Sequence, residues 1–434
     1  MWIIDKARRI KTQLQIEHYL DLPTSKISSE RQKSLCSLLR DAQKNVPFYR
    51  QLLANQCITY KNCFNILQSL PIISKCDLQN NPSMIANYVR DNWKYWLNTG
   101  GSTGVPLRFP IGGRSKFELN RELFCQADLY VKMAGTYKIR IAAVDGSRVD
   151  EPRINHNEYW IDKGENFPYG KFHYSTLHLN DKTFYYYLQH LNYTQPDVIR
   201  GYPSGIYELA QYIQHYSEQL NFIPKGIYLT SENILKYQID TIEAVFKCPV
   251  WGQYGHSESS VFAIRYPHSD QYICNPLYGV VEIIKEDGTH AKIGEVGEIV
   301  VTGFSNKALP FIRYRTGDLA EYGGESRDGV LINQLMGRSV EYIFDNAGKK
   351  RFLVGLIFGG HLKVFNDMSA WQLQQDKVGE IIVRVVKGLT YSDESETELI
   401  NFFESNNIKP KIHYIDNIIK TKRGKQIFLI QNIK

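Results

Sequence analysis

The residues best suited to chemistry fall in five short segments. The first, Thr99-Gly100-Gly101-Ser102-Thr103-Gly104-Val105-Pro106, sets three glycines beside the hydroxyls of Ser102 and Thr103. Glycines let backbone N–H groups approach an anion closely, so the segment suits phosphate. No Gly-Lys-Ser/Thr follows, which excludes a Walker-type loop, and Gly-x-Gly-x-x-Gly is absent. An ordinary turn is the alternative. The second, Trp251-Gly252-Gln253-Tyr254-Gly255-His256-Ser257-Glu258, offers a flat ring at Tyr254 for a purine and a hard oxygen ligand at Glu258 for Mg2+. Against this stand a partly buried tyrosine and a solvated glutamate. In the third, Tyr314-Arg315-Thr316-Gly317-Asp318, an aspartate after a tight glycine turn can accept both hydroxyls of a ribose, or the segment is only a β-turn. The fourth is Gly337-Arg338-Ser339-Val340-Glu341. The fifth is a basic loop, Thr421-Lys422-Arg423-Gly424-Lys425, which alone reads as a solvated turn.

The elements that must hold these segments read as α/β. Over residues 28–54, Leu35, Leu38, Leu39, Ala42 and Val46 recur at helical spacing, and Pro47 ends the run. Ser74 opens a short capped helix. A strand over 93–97 leads into the glycine-rich segment. Apolar runs at 139–144 and 198–200 read as buried strands, and 204–216 as a helix with Ile206, Leu209, Ala210 and Ile213 on one face. Strand 226–229, helix 234–246 and strand 249–253 follow in β-α-β rhythm, so the Tyr254 segment ends a strand, where ligands bind in open α/β sheets. Residues 278–303 read as antiparallel β, with 279–284 and 298–301 flanking the turn Glu286-Asp287-Gly288. Beyond Arg338, strands at 342–344, 381–386 and 411–415 and a helix at 395–404 predict a separate small α+β domain. The expected division is 1–337 and 338–434.

Bulk properties narrow the class. A chain of 434 residues calls for two or three domains. With 43% hydrophobic and 22% charged residues, wholesale disorder is excluded. The net charge of +7 forms no dense basic run, which argues against nucleic acid and suits a small anionic substrate. Seven cysteines, an odd number with no Cys-x-x-Cys pair, point to a reducing cytoplasm rather than a disulfide framework. No run approaches the ~18 apolar residues of a transmembrane span, and residues 1–20 lack the apolar core of a secretory signal. They read as a terminal helix docked on the protein.

It is the joint order of the five segments that lifts them above isolated turns. Together they resemble the adenylate-forming superfamily of acyl-CoA synthetases, and more closely the phenylacetate–coenzyme A ligase family with its capsular-polysaccharide-biosynthesis branch. Asn45-Val46-Pro47-Phe48-Tyr49-Arg50, Leu70-Pro71-Ile72 with Lys75, and Arg200-Gly201-Tyr202-Pro203-Ser204 extend the likeness over nearly the whole chain. The resemblance implies a large layered α/β adenylation domain with a β-rich portion and a small mobile C-terminal domain. It implies ATP and Mg2+ as cofactors, and a carboxylic acid activated as an acyl-adenylate. The acyl group then passes to coenzyme A, a carrier-protein thiol or an amino sugar. Matched to the family motifs, Thr99 and Gly100 to Gly104 cradle the β- and γ-phosphates through Ser102, Thr103 and Gly104. Tyr254 stacks on adenine, flanked by Gly255 and Ser257. Glu258 binds Mg2+, Asp318 holds the ribose, Arg338 lies near the ribose and hinge, and Lys425 bridges α-phosphate and carboxylate. Thr103, Glu258 and Lys425 are then the catalytic group, and Tyr202, Tyr228, Ser231, Gly252 and His256 wall the acid pocket.

The chain also departs from the family. Where many members have Pro-Lys, Pro106 is followed by Leu107 and Arg108, so a phosphate-contacting lysine is missing and Arg108 is its candidate substitute. At the hinge Val340 precedes Glu341. Only His268 and Cys274 lie near the segment that binds a structural zinc in some members, so no zinc is expected. The turn Asp145-Gly146-Ser147-Arg148 is a further candidate contact for a polar acid. The missing lysine also keeps a second class open, a nucleotide-binding subunit of a polysaccharide-synthesis complex with impaired catalysis.

Overall fold

The computed structural model describes residues 2–99, 106–112, 121–338, 341–353, 356–357, 364–388, 390–421 and 424–433. Two units emerge: a first of residues 1–137 and 253–334, and a second of residues 138–252 and 335–434. In the first, the helical periodicity resolves into two helices, Thr24–Asn45 and Pro47–Leu52, rather than one. Val46 between them is extended, at φ −109° and ψ 112°. The cause is Pro47, whose ring crowds the preceding residue out of the helical region and whose fixed φ suits the first position of a new helix. Leu35, Leu38, Leu39, Ala42 and Val46 are buried as expected, against Val280, Phe304 and Ile312. Ser74 caps Lys75–Asn80 in a reciprocal box with Asp77. The strand before the glycine-rich segment is Trp96–Asn98, paired antiparallel with Arg108–Pro110.

The second unit begins with a mostly parallel sheet: β1 (Ile141–Asp145), β2 (Phe172–Ser175), β3 (Val198–Gly201), β4 (Gly226–Thr230) and the start of β5 (Val250–Gly255). Helices α1 (Phe184–Thr194), α2 (Pro203–His215) and α3 (Lys236–Phe246) connect β2 to β3, β3 to β4 and β4 to β5. The strand order is β5-β4-β3-β1-β2, so all three crossovers run the same way across the sheet. Right-handed crossovers then place all three helices on one face. That face is apolar: Ala142, Val144, Tyr174, Ile199, Ile227 and Leu229 pack on Leu188, Leu191, Ile206, Leu209, Ile213, Ile239 and Ile242. The alternate residues form one cross-strand row on the other face, His173–Ala143–Arg200–Tyr228. Gly201 closes β3 against the β1 backbone; a Cβ there would sit 2.0 Å from the Val144 carbonyl oxygen, so no other residue fits.

At the edge of this sheet the His190 ring stacks 3.9 Å from Trp160, and its Nδ1 lies 2.7 Å from the Tyr174 hydroxyl. Burial lowers its pKa from the ordinary 6.5 to about 4, against an opposing pull from Asp162. Between those two values the unfolded chain binds the extra proton. Stability is therefore full above about pH 6.5 and lost as pH falls toward 4. After discount for partial solvent access, about 1–2 kcal/mol is at stake. Urea titrations of wild type and His190→Gln between pH 4 and 7 should show this loss in wild type only; parallel curves would refute it.

The β-rich part of the first unit is antiparallel. It comprises β6 (Phe262–Arg265), β7 (Tyr272–Cys274), β8 (Gly279–Ile284), β9 (Val296–Gly303), β10 (Tyr314–Ser326) and most of β11 (Gly329–Arg338). Their order is β8-β9-β10-β11-β7-β6. The Gly317 segment departs from expectation: it is not a tight turn ending a strand but a bulge near the start of β10, where the register with β9 shifts between Glu298 and Val300. Gly317 takes φ +79°, which a bulge of this kind asks of glycine.

The second unit closes with β12 (Tyr342–Phe344), β13 (Lys350–Phe352), β14 (Met368–Lys377), β15 (Glu380–Lys387), α4 (Asp393–Ser405), β16 (Lys409–Tyr414) and β17 (Leu429–Gln431). The sheet β16-β15-β14-β17 packs Trp371, Leu373, Ile381, Val383 and Val385 on Leu399 and Phe403. Leu235 and Tyr237, at the start of α3, join this cluster, and the Trp371 indole N–H donates to the Tyr237 hydroxyl at 3.3 Å. Among the described residues no helix is long and apolar enough to cross a membrane.

Candidate functional site

In the first unit, the end of β5 and the bulge in β10 converge. The Tyr254 hydroxyl donates to Asp318 Oδ2 at 2.7 Å. Burial, and then the Asp318 carboxylate, hold the Tyr254 phenol well above its ordinary pKa, so it stays a neutral donor. Asp318 is fixed by its own segment: its N–H donates to Thr316 Oγ1 at 3.1 Å, Thr316 Oγ1 donates to the Ile299 carbonyl at 2.9 Å, and Gly317 N–H donates to Glu298 Oε1 at 3.2 Å. Arg315 pairs with that same Glu298. The bulge therefore sets the aspartate beside the tyrosine.

Glu258 is not a solvated glutamate. It is 9% exposed, with His256 Nδ1 3.2 Å from Oε2 and the Tyr314 hydroxyl 3.4 Å from Oε1. A buried carboxylate in a polar setting suits Mg2+, which takes one or two protein carboxylates and leaves the rest to substrate phosphates and water. Gly255 is half-buried and Ser257 exposed. A Cβ at Gly255 would lie 2.7 Å from the Gln253 amide nitrogen.

Of the glycine-rich segment, Gly100, Gly101, Ser102, Thr103 and Gly104 lie outside the described residues, as do Ser339 and Val340. Its two feet are described. Thr99 N–H donates to the Leu107 carbonyl and Leu107 N–H to Thr99 Oγ1, both at 2.9 Å. Leu107 is 2% exposed, so the position where the resemblance leads one to expect a lysine is here part of the core. Arg108 is exposed and its guanidinium lies 4.9 Å over the Trp96 ring. Arg338 ends β11, where its carbonyl accepts from Glu341 N–H at 2.9 Å.

In the second unit, the feet of the lysine loop bond to each other; Lys422 and Arg423 lie outside the described residues. Thr421 N–H donates to the Lys425 carbonyl at 2.8 Å, Lys425 N–H to Thr421 Oγ1 at 3.1 Å, and Lys420 pairs with Gln426 across it. It rests on the C-terminal ends of the parallel strands. Lys425 Nζ donates to the Ser231 carbonyl at 2.9 Å and lies 5.4 Å over the Tyr202 ring. Ser231 takes φ +75°, a conformation few non-glycine residues adopt and one that recurs at functional sites. Gly424 is buried against Thr176, whose hydroxyl donates to its carbonyl at 3.2 Å.

The expected acid-wall residues fall in both units, Tyr202, Tyr228, Ser231 and Gly252 in the second and His256 in the first. Tyr202 and Ser231 meet Lys425, whereas Tyr228 is fully buried under Arg200 and Gly252 is buried in β5. His256 sits with Glu258. Arg200 went unnoticed as an individual side chain in the sequence. Its guanidinium lies 5.1 Å from both the Tyr169 and Tyr228 rings and donates to the Pro168 carbonyl at 3.1 Å. The Asp145 carboxylate turns inward, accepting Ser147 N–H at 2.9 Å and lying 2.8 Å from His173 Nδ1. Burial pushes its pKa up, but those bonds outweigh it and hold the carboxyl below the usual range. Also unmarked in the sequence were Glu208 and Lys420, paired at 3.1 Å, and Glu232. The one available signal was Glu232's place directly after a strand and before a helix, in Thr230-Ser231-Glu232.

No protein-family model matches the chain. Protein CapK from Staphylococcus aureus is 26% identical over 408 residues, covering 90% of this chain and 86% of that protein. Among solved structures, a 2-hydroxyisobutyryl-CoA ligase in the postadenylation state with 2-HIB-AMP aligns with a TM-score of 0.69 at 16% identity, over 94% of this chain and 90% of that one. An acyl acid amido synthetase in complex with 2,4-DB aligns with a TM-score of 0.59 at 14% identity, over 93% and 89%. At these identities the structural likeness is one of fold.

Proposed function

We propose that this chain, whose fold is that of the adenylate-forming ligases, uses ATP to activate a carboxylic acid and then transfers the acyl group to coenzyme A or another thiol or amine. A setting in surface-polysaccharide synthesis follows the sequence resemblance. The observation that carries the reading is the lysine turn: a cation held on the Ser231 carbonyl beside Tyr202, at the strand ends where such sheets bind ligands.

In the first half-reaction a carboxylate oxygen of the acid attacks the α-phosphorus, the acyl–O–P bond forms and pyrophosphate leaves. Lys425 lies among the crowded oxygens and offsets their charge in the transition state. Tyr254 presents its ring to adenine, and Asp318, with Tyr254 on one oxygen, takes the ribose hydroxyls. Glu258 would hold Mg2+, which when bound neutralises phosphate charge. Thr99 to Gly104 cradle the pyrophosphate, with Thr103 a hydroxyl donor, and Arg338 lies near the ribose. In the second half-reaction the acceptor thiol or amine attacks the acyl carbon, AMP departs and the acceptor's proton goes to solvent. Residues 338–434 close for the first step, which excludes water from the acyl-adenylate, and swing away for the second around Glu341.

A pyrophosphate-release screen over carboxylic acids, with and without coenzyme A, tests this. Release with at least one acid is expected; ATP binding without release from any acid would instead favour the nucleotide-binding subunit. In the same assay Asp318→Ala should lower kcat/KM for ATP about a hundredfold, near the upper range for hydrogen bonds to a charged group. Tyr254→Phe, which keeps the ring, should cost less than about tenfold. Equal losses would show that the hydroxyl, not the ring and the ribose contact, carries the effect.

A further inference from the structure

We propose that Glu232 is the positioning residue of adenylation: its carboxylate ties the lysine turn to the first turn of α2 and so fixes where Lys425 stands. This rests on the adenylation reading above. Glu232 Oε1 accepts Gln426 N–H at 2.9 Å, one residue from Lys425. Oε2 accepts Ser204 N–H at 3.0 Å, in the first turn of α2. Tyr202, at the N-cap of that helix, lies under the lysine ammonium, and Ser231, the neighbour of Glu232, supplies the carbonyl it binds. Three chain segments, 202–204, 231–232 and 425–426, therefore meet at one carboxylate.

The chemistry calls for a carboxylate. Ser204 N–H is among the helix-terminal donors that lack a partner within the helix, and Gln426 N–H faces the same group from the other side. Two donors need two acceptors on one planar head. A glutamine offers one oxygen and would turn its NH2 toward the other N–H. An aspartate is one methylene too short to span both. The Lys420–Glu208 pair and the Thr176–Gly424 bond hold the base of the turn. Glu232 reaches Gln426, on the other side of Lys425 from Gly424.

The test separates half-reactions. Glu232→Ala and Glu232→Gln should each lower kcat for pyrophosphate release about 30- to 300-fold, with KM for ATP within about threefold. Transfer from a synthetic acyl-adenylate to the acceptor should stay within about threefold. In a Lys425→Ala background, Glu232→Ala should cost almost nothing more, because it acts through the lysine. Gln426→Pro, which deletes the donor on the turn and leaves Glu232 in place, should reproduce the kcat loss even where the Glu232 variants fold poorly. Equal losses in both half-reactions, additive losses with Lys425→Ala, or wild-type release by Gln426→Pro would overturn the proposal. If wild type releases no pyrophosphate with any acid, the underlying reading fails and takes this one with it. If wild type releases it and Glu232→Ala matches its kcat, this inference alone fails.

Discussion

Lys425→Ala will lower the rate of acyl-adenylate formation about a thousandfold and leave transfer from a preformed acyl-adenylate within about threefold. Removing one preorganised group from a transition state of developing charge costs about 2.7–4 kcal/mol, which sets that size. The asymmetry follows from the chemistry: charge crowds at the α-phosphate only while the carboxylate attacks. The lysine is well placed for a selective effect, since its Nζ donates to the Ser231 carbonyl and lies over the Tyr202 ring. Burst measurements of pyrophosphate release, set against transfer assays with synthetic adenylate, check both halves. A comparable loss in the two would remove Lys425 from its assigned role.

Gly424→Val should be nearly as damaging, through sterics alone. Gly424 takes φ +72°, and a Cβ there would stand 2.4 Å from Thr176 Oγ1 and 3.1 Å from Gly146 Cα. The left-handed backbone costs a branched residue about 1–2 kcal/mol, and overpacking typically adds about 1–3 kcal/mol. Together these shift the docked turn by a factor of about a hundred or more toward undocked forms. Adenylation should fall accordingly while transfer persists. The nearest obstacle is a single hydroxyl, so Gly424→Ala should regain activity when combined with Thr176→Ala. Absence of that rescue would mean the close approach is not what limits the variant.

Much of this was legible in the sequence where the signal is local. The apolar runs at 139–144, 198–200 and 226–229, and helical spacing at Ile206, Leu209 and Ile213, mark elements that are buried in the structure. Pro47 was read as a stop and is both a stop and a start, because its effect on Val46 breaks one helix while its own ring opens the next. Gly317 was read as a turn, since a glycine between hydroxyl and acid looks alike in a turn and in a bulge. Only the partner strand distinguishes them. Leu107 was read as a lost lysine, whereas its burial shows what the position supports instead. For Glu232 the sequence offers its place after a strand but not its partners. Its two partners lie 28 and 194 residues away, and both are backbone N–H groups, which no side-chain pattern records.

The two bonds between Thr99 and Leu107 fix the ends of the glycine-rich segment on each other. They bring together the ends of a segment of roughly seven residues, whose closure entropy, taken as 3/2 RT ln n, is about 1.7 kcal/mol. Folding of the hairpin meets that cost once. In the proposed role, a phosphate meeting that segment has no ends left to gather. At Leu107, where the resemblance leads one to expect a lysine, a buried leucine anchors one foot. In the proposed role a long-range attraction, which salt would screen, thereby gives way to preorganisation, which salt leaves untouched.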